Sequence, residues 1–221
     1  MMKLAIASAL VGSAAAFAPA PISRTSTSAM SAFTVDNMPG ALAPMGFFDP
    51  LGFAAKADER TLKRYREAEV THGRVAMLAV LGFLVGEAVA GTSFLFDGEI
   101  SGPAISHFAQ VPDGWDALVV TFIGAAEAQR AQIGWVDPAN AAYDQPGLLR
   151  DDYYPGDIGF DPLGIKPSDP EELDLMITRE LQNGRLAMLA AAGFLAQEAV
   201  DGLGIIEHFQ VSMIEKADFG L

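Results

Sequence analysis

Two short stretches pair a carboxylate with a neutral donor and an arginine in the same order: Glu69-Val-Thr-His72-Gly-Arg74 and Glu180-Leu-Gln-Asn183-Gly-Arg185. On a helix, residues three apart share a face, so each glutamate and the His or Asn after it point the same way. Carboxylate oxygen, neutral imidazole and amide oxygen are donors that magnesium accepts, and each could supply one axial ligand to a caged Mg²⁺. Gln197, Glu127 and His208 add donors of the same kinds, and Arg130 lies three residues after Glu127, close enough to neutralise it. Five positions put Arg74 nearly opposite Glu69 on a common helix. The arginines therefore need partners elsewhere. If two helices cross about a pseudo-twofold axis, Glu69 meets Arg185 and Glu180 meets Arg74. Each carboxylate then keeps spare lone pairs, and loss of one partner leaves a costly lone charge.

The elements that would position these groups form an internal repeat with an offset of 111 residues. Between Glu69 and Gly91, 14 of 23 residues are identical to their counterparts, and Phe-Asp-Pro-Leu-Gly precedes each copy, at 48–52 and 160–164. The first copy predicts a helix from about Asp58, as N-cap, to Ala90. The second predicts one starting near Ser168 or Asp169, with Pro170 in the first turn and Glu171 and Glu172 at the positive helix end. Helices of about 30 residues span roughly 45 Å, enough to cross a bilayer with tilt. Gly73/Gly184 and Gly82/Gly193 would allow close approach. A third apolar helix is expected over about Trp115–Ile133, and residues 203–214 read as a short amphipathic helix at a membrane surface. Gly-, Pro- and Asp-rich loops separate these elements, one of them carrying His107, and no strand pattern emerges. The expected class is all-α: three transmembrane helices, two of them long and crossed, plus the short amphipathic helix.

Composition excludes several functions. The chain of 221 residues has no cysteine, hence no disulfide, thiolate metal site or Cys nucleophile. Its net charge of −14 argues against a nucleic-acid partner. Residues 1–30 join an apolar run behind Lys3 to a Ser/Thr-rich, acid-free stretch around Arg24, the layout of a signal followed by a plastid transit segment. The mature chain, 31–221, is expected to be a single domain. The basic run from Lys56 to Arg66 suits the stromal side, although Asp151, Asp152 and Asp157 in a later loop on that side weaken the charge argument. A di-iron carboxylate site would need a second Glu-x-x-His motif, and the second copy carries Asn183. A small transporter is disfavoured by the self-paired charges. Met77 and Met188, at helical spacing, are compatible with plain core packing. Asn183 and Gln197 are also compatible with interhelical hydrogen bonding, and His208 with a solvated surface.

At the two Glu-x-x-(His/Asn)-Gly-Arg-x-Ala-Met-Leu motifs the chain resembles the three-helix chlorophyll-binding light-harvesting family, over roughly residues 45–215. The wording Pro155-Gly-Asp-Ile-Gly-Phe-Asp-Pro-Leu-Gly164 and the two-part leader are most similar to fucoxanthin chlorophyll a/c proteins of algae with secondary plastids. The resemblance implies an antenna, not an enzyme, integral to the plastid thylakoid membrane. Its pigments would be chlorophyll a, chlorophyll c and fucoxanthin or a related xanthophyll. Its partners would be thylakoid lipids, other antenna subunits and photosystem I or photosystem II. It further implies that Glu69, His72, Glu127, Glu180, Asn183, Gln197 and His208 ligate chlorophyll magnesium and that Arg74, Arg130 and Arg185 neutralise the glutamates. Asp49 and Asp161 would hold carotenoid head groups, with Met77 and Met188 beside the polyenes. A photoprotective, energy-dissipating member of the same family is the alternative role.

Overall fold

The computed structural model describes residues 33–218 apart from 36–37, 94–95 and 140–146, so the leader expected over 1–30 lies outside the described residues. Among these, the chain is helical: α1 (Glu59–Val89), α2 (Ala104–Gln110), α3 (Trp115–Gly134), α4 (Pro170–Asp201) and α5 (Ile205–Asp218). Extended pairing among the described residues is limited to isolated bridges, Leu42 with Gly46 and Trp135 with Leu149.

The long helices begin where short acidic side chains can satisfy free amides. Asp58 accepts from the Thr61 N–H and Asp169 from the Glu172 N–H, with Pro170 in the first turn of α4. Such caps contribute about 1 kcal/mol each. Asp169→Ala is accordingly expected to lower stability by about that amount, measurable by thermal unfolding followed in the far ultraviolet. At its other end α4 stops at Gly202, whose φ of 69° lies in the left-handed region and whose N–H returns to the Glu198 carbonyl.

The long helices touch most closely at the first glycine pair. A Cβ on Gly73 would stand 3.0 Å from the Gly184 Cα, and one on Gly184 at 3.0 Å from the Gly73 Cα. Gly82 and Gly193, also expected at the contact, face open space with nothing within 4 Å. They lie nine residues, or about two and a half turns, further along each helix, and so on the face opposite Gly73 and Gly184. Leu62, Val70, Ala76 and Leu181 form the small core around the crossing.

A second reciprocal arrangement closes the far end. The Glu87 carboxylate accepts from the Ile205 and Ile206 N–H groups at 2.7 and 2.9 Å, while Glu198 accepts from the Ile105 N–H at 2.7 Å. Glu87 and Glu198 are counterparts in the repeat, so each long helix caps the N-terminus of one short helix. One of these, α2, was read from sequence as loop. Its seven residues are too few for a periodic signal, and the Glu198 contact that caps it is 93 residues distant. His107 sits on this helix, with Nε2 bonded to the Gly102 carbonyl at 2.7 Å and Nδ1 at 3.2 Å from where a Cβ on Gly86 would stand.

Among the described residues, α1 is long and apolar enough to cross a membrane, with a window of mean hydropathy 1.4. The α4 helix reaches that standard together with Ile205–Val211, across a 69° bend. The α3 helix does not, because Glu127, Gln129, Arg130 and Gln132 fill its second half. Every residue from Pro112 to Gln129 is exposed, and α3 has no extensive packing against another helix.

Candidate functional site

The crossing carries the two ion pairs in reciprocal form. Arg74 Nε donates to Glu180 Oε1 at 2.6 Å and Arg185 Nε to Glu69 Oε1 at 2.8 Å. Glu180 is thus held through one oxygen, leaving lone pairs on the other. Glu69 differs: its Oε2 faces Arg66 Nη1 at 3.2 Å. Arg66 is buried, and its repeat counterpart is Ile177, so the two glutamates are not electrostatically equal. Sequence reasoning counted Arg66 only within a basic surface run. Three more residues of that run are engaged: Lys63 donates to the Asp151 carbonyl, Arg60 approaches the Asp151 carboxylate at 3.9 Å, and Arg64 lies over the Trp135 ring. Asp151, one of the three acids that weakened the charge argument, is thus a neighbour of Lys63 and Arg60, while Asp157 pairs with Lys166.

His72 and Asn183 are exposed and oriented by the same device. His72 Nδ1 lies 2.7 Å from the Ala68 carbonyl, and Asn183 Nδ2 donates to the Arg179 carbonyl at 2.8 Å, each one turn back on its own helix. A carbonyl only accepts, so His72 carries its proton on Nδ1 and leaves the Nε2 lone pair free. Asn183 is left with its carbonyl oxygen free. A bond of this kind would orient a metal ligand and, for a histidine, fix its tautomer. His208 repeats it with a carboxylate, Nδ1 lying 2.7 Å from Asp201 Oδ2. Gln197 is half-buried, and its Nε2 is buried without a hydrogen-bond partner. Glu127 is exposed and receives Arg130 Nε and Nη2 on Oε2, at 2.9 and 2.7 Å, so Oε1 stays open. Among the described residues no three His, Asp or Glu side chains converge on one point. Each donor therefore offers a single ligand, which suits a Mg²⁺ already held in a macrocycle and does not suit a bare ion needing about six oxygens.

Asp49 and Asp161 hold their own loops. Asp49 accepts from the Phe53 and Ala54 N–H groups and Asp161 from those of Ile165 and Lys166. The backbone donors of Lys166 and Ile165 hold the Asp161 carboxyl below its usual range. The twin Phe-Asp-Pro-Leu-Gly segments are thus twin turns. A cavity of about 440 Å³ opens beside the first, lined by Phe48, Asp49, Tyr65, Arg66, Glu69 and Arg185. Met77 and Met188 are half-buried. Flanking His72 and Asn183, large apolar side chains stand exposed at matched positions, Val75 with Leu186 and Leu78 with Leu189, the last pair 72% and 74% exposed. A matched apolar surface beside a matched donor suits a flat hydrophobic ring.

One charged residue at the centre of the site was not anticipated. Glu67 is 3% exposed. Its Oε1 accepts from Arg130 Nη1 at 2.7 Å, and its Oε2 from the Tyr153 hydroxyl at 3.0 Å and the Gly156 N–H at 2.7 Å. Burial, reinforced by this carboxylate, holds the Tyr153 phenol well above its usual pKa and keeps it a donor. The available signal was a break in the repeat, since position 67 is Glu where its counterpart, 178, is Thr.

Comparison with known proteins gives a consistent set of matches. The family model described as Chlorophyll A-B binding protein matches residues 34–199. The chain is 51% identical over 185 residues to light-harvesting complex stress-related protein 3.2 of Chlamydomonas reinhardtii, covering 82% of this chain and 70% of that protein. It is 53% identical over 168 residues to a fucoxanthin-chlorophyll a-c binding protein of Isochrysis galbana, covering 75% and 77% respectively. It is also 38% identical over 213 residues to fucoxanthin-chlorophyll a-c binding protein F of Phaeodactylum tricornutum, covering 94% and 100%.

Proposed function

The chain belongs to the chlorophyll A-B binding protein family, and from that premise we propose that it is a light-harvesting antenna. It binds chlorophyll a, chlorophyll c and fucoxanthin or a related xanthophyll, and it has no catalytic role. Bound pigments supply the photophysics: absorption, transfer of excitation to a photosystem and quenching of triplets. The residues hold those pigments at fixed spacing and orientation. The observation that carries this reading is the shared orientation of His72 and Asn183. Each is tied back to its own helix through one polar atom, with the donor atom turned out beside exposed apolar side chains.

In this reading Glu69, His72, Glu127, Glu180, Asn183, Gln197 and His208 each ligate one chlorophyll. Arg74, Arg185 and Arg130 neutralise the glutamates. The loops held by Asp49 and Asp161 receive carotenoid head groups, and Met77 and Met188 pack along the polyenes. The α1, α3 and α4 helices span the thylakoid membrane, the long pair related by a pseudo-twofold axis, with α5 at the surface. The exposed apolar side chains of α3, among them Phe122 and Ile123, then face pigment and lipid. Partners are other antenna subunits and photosystem I or photosystem II.

Replacing His72 by Phe or Asn183 by Leu is expected to remove one chlorophyll each while the ion pairs and the fold persist. Pigment content per protein and visible circular dichroism would check this. The test of the whole reading is pigment analysis with fluorescence-excitation spectra of the native protein. Chlorophyll a, a chlorophyll c and a xanthophyll should all feed one chlorophyll a emission; a colourless protein would overturn the reading. The identity to stress-related relatives favours a second reading, an energy-dissipating member. Very short-lived chlorophyll emission would select it.

A further inference from the structure

Each long helix receives a Pro-Gly turn from the segment that precedes the other long helix. Gly40, in Pro39-Gly40, packs on α4, where a Cβ would meet Leu181 Cδ1 at 2.8 Å; Gly156, in Pro155-Gly156, packs on α1, where a Cβ would meet Val70 Cγ1 at 2.9 Å. Both glycines have positive φ, 102° and 86°. Leu181 and Val70 are counterparts in the repeat. So are the acceptors of the two glycine amides. The Gly40 N–H donates to Thr178 Oγ1 at 3.1 Å and the Gly156 N–H to Glu67 Oε2 at 2.7 Å. In the second copy a threonine hydroxyl satisfies this turn. The first copy needs no more than that for the same amide, yet it buries a carboxylate, which is costly to desolvate. Two further groups reach that carboxylate: the Tyr153 hydroxyl, from the same loop as Gly156, donates to Oε2 at 3.0 Å, and the charged one is Arg130, on the one long element without a counterpart. Its Nη1 takes Glu67 Oε1, while its Nε and Nη2 hold Glu127.

We propose that Glu67 is the positioning residue for the Glu127 chlorophyll site: it anchors Arg130 from α1, and Arg130 in turn fixes the carboxylate of Glu127 on α3. The inference rests on the reading of Glu127 as a chlorophyll ligand. It also explains how α3, exposed along most of its length, keeps its place relative to the crossing. Both Arg130 contacts are charge-assisted, and the Glu67 end is shielded from water, where such bonds are strongest. Glu67 touches no pigment in this scheme. It acts through the guanidinium.

The test is Glu67→Thr, which installs the residue the second copy uses and preserves an acceptor for Gly156. Protein reconstituted with chlorophyll a, chlorophyll c and fucoxanthin would be compared with Glu127→Gln and with the double variant. Glu67→Thr should lose the same chlorophyll as Glu127→Gln, with superimposable absorption difference spectra and no further loss in the double variant. Retention of that chlorophyll in Glu67→Thr, when Glu127→Gln loses it, overturns the role of Glu67 alone. If Glu127→Gln loses nothing, the ligand assignment falls and the proposal with it. Should Glu67→Thr assemble poorly, Glu67→Gln keeps the size and one acceptor. The chain has no cysteine, so paired spin labels on α1 and α3 can be introduced uniquely. The interlabel distance distribution should broaden in either variant, and an unchanged distribution would count against the anchor.

Discussion

Glu180→Gln should strip chlorophyll from the helix crossing and lower stability by about 2 kcal/mol. The substitution removes the charge that Arg74 faces at 2.6 Å and weakens the oxygen that would ligate magnesium. Breaking one side of a fully buried pair costs roughly 3–5 kcal/mol, and an exposed pair contributes roughly 0–1. Here the side chains are 38% and 35% exposed on the protein alone, so an intermediate value applies. The two roles separate in a cycle. Adding Arg74→Leu to Glu180→Gln removes the stranded guanidinium and should restore most of the stability without restoring the pigment. Thermal loss of visible circular dichroism reads the first quantity and pigment content per protein the second. Normal pigment content in the single variant would contradict ligation by Glu180.

Gly184→Ala should be nearly as damaging for a different reason. The new methyl would stand 3.0 Å from the Gly73 Cα, against backbone that has no rotamer to yield, so the helices must separate. Overpacking of this kind costs about 1–3 kcal/mol. Separation would also stretch both ion pairs, so pigment should be lost on either side of the crossing. Gly73→Ala should match it. By contrast, Gly193→Ala meets no protein atom within 4 Å and should gain up to about 1 kcal/mol from helix propensity. Equal melting temperatures for Gly184→Ala and Gly193→Ala would refute the contact. A stable Gly193→Ala protein that had lost pigment would show that this glycine makes room for a pigment.

How much of this was readable in the chain depends on whether a group's partner shares its repeat. Helix starts at Asp58 and Asp169 were readable because caps are local. The Glu69–Arg185 and Glu180–Arg74 pairs were readable because the two copies carry the same residues, and a self-complementary crossing was the economical way to partner four charges. Contacts lying outside the repeat logic were not. Gly82 and Gly193 share the motif, but a spacing of nine residues turns them to the face opposite Gly73 and Gly184, away from the contact. In the sequence Arg66 reads only as the end of a basic run and Glu67 has no reading, whereas the loops from 39–49 and 150–156 fold over and bury them. The burial of a charge by a distant loop leaves no periodic trace in sequence. Only the mismatches with Ile177 and Thr178 mark those positions as different.

The contacts at the crossing have the form of an interface between identical molecules. Gly73 meets its own counterpart, Arg74 meets the counterpart of Glu69, and Arg185 meets Glu69 itself. That is the isologous pattern of a twofold homodimer. A chain half as long, with one helix carrying the Glu, Gly and Arg of a single motif, would already hold every group the crossing uses. Two such chains could pair before any gene duplication joined them. A single chain carrying both copies has the freedom to differ between halves. The Glu67 and Thr178 positions differ in this way: Glu67 takes Arg130 of α3 as well as the Gly156 amide, and Thr178 takes the Gly40 amide, an asymmetry that a dimer of identical subunits could not keep to one side.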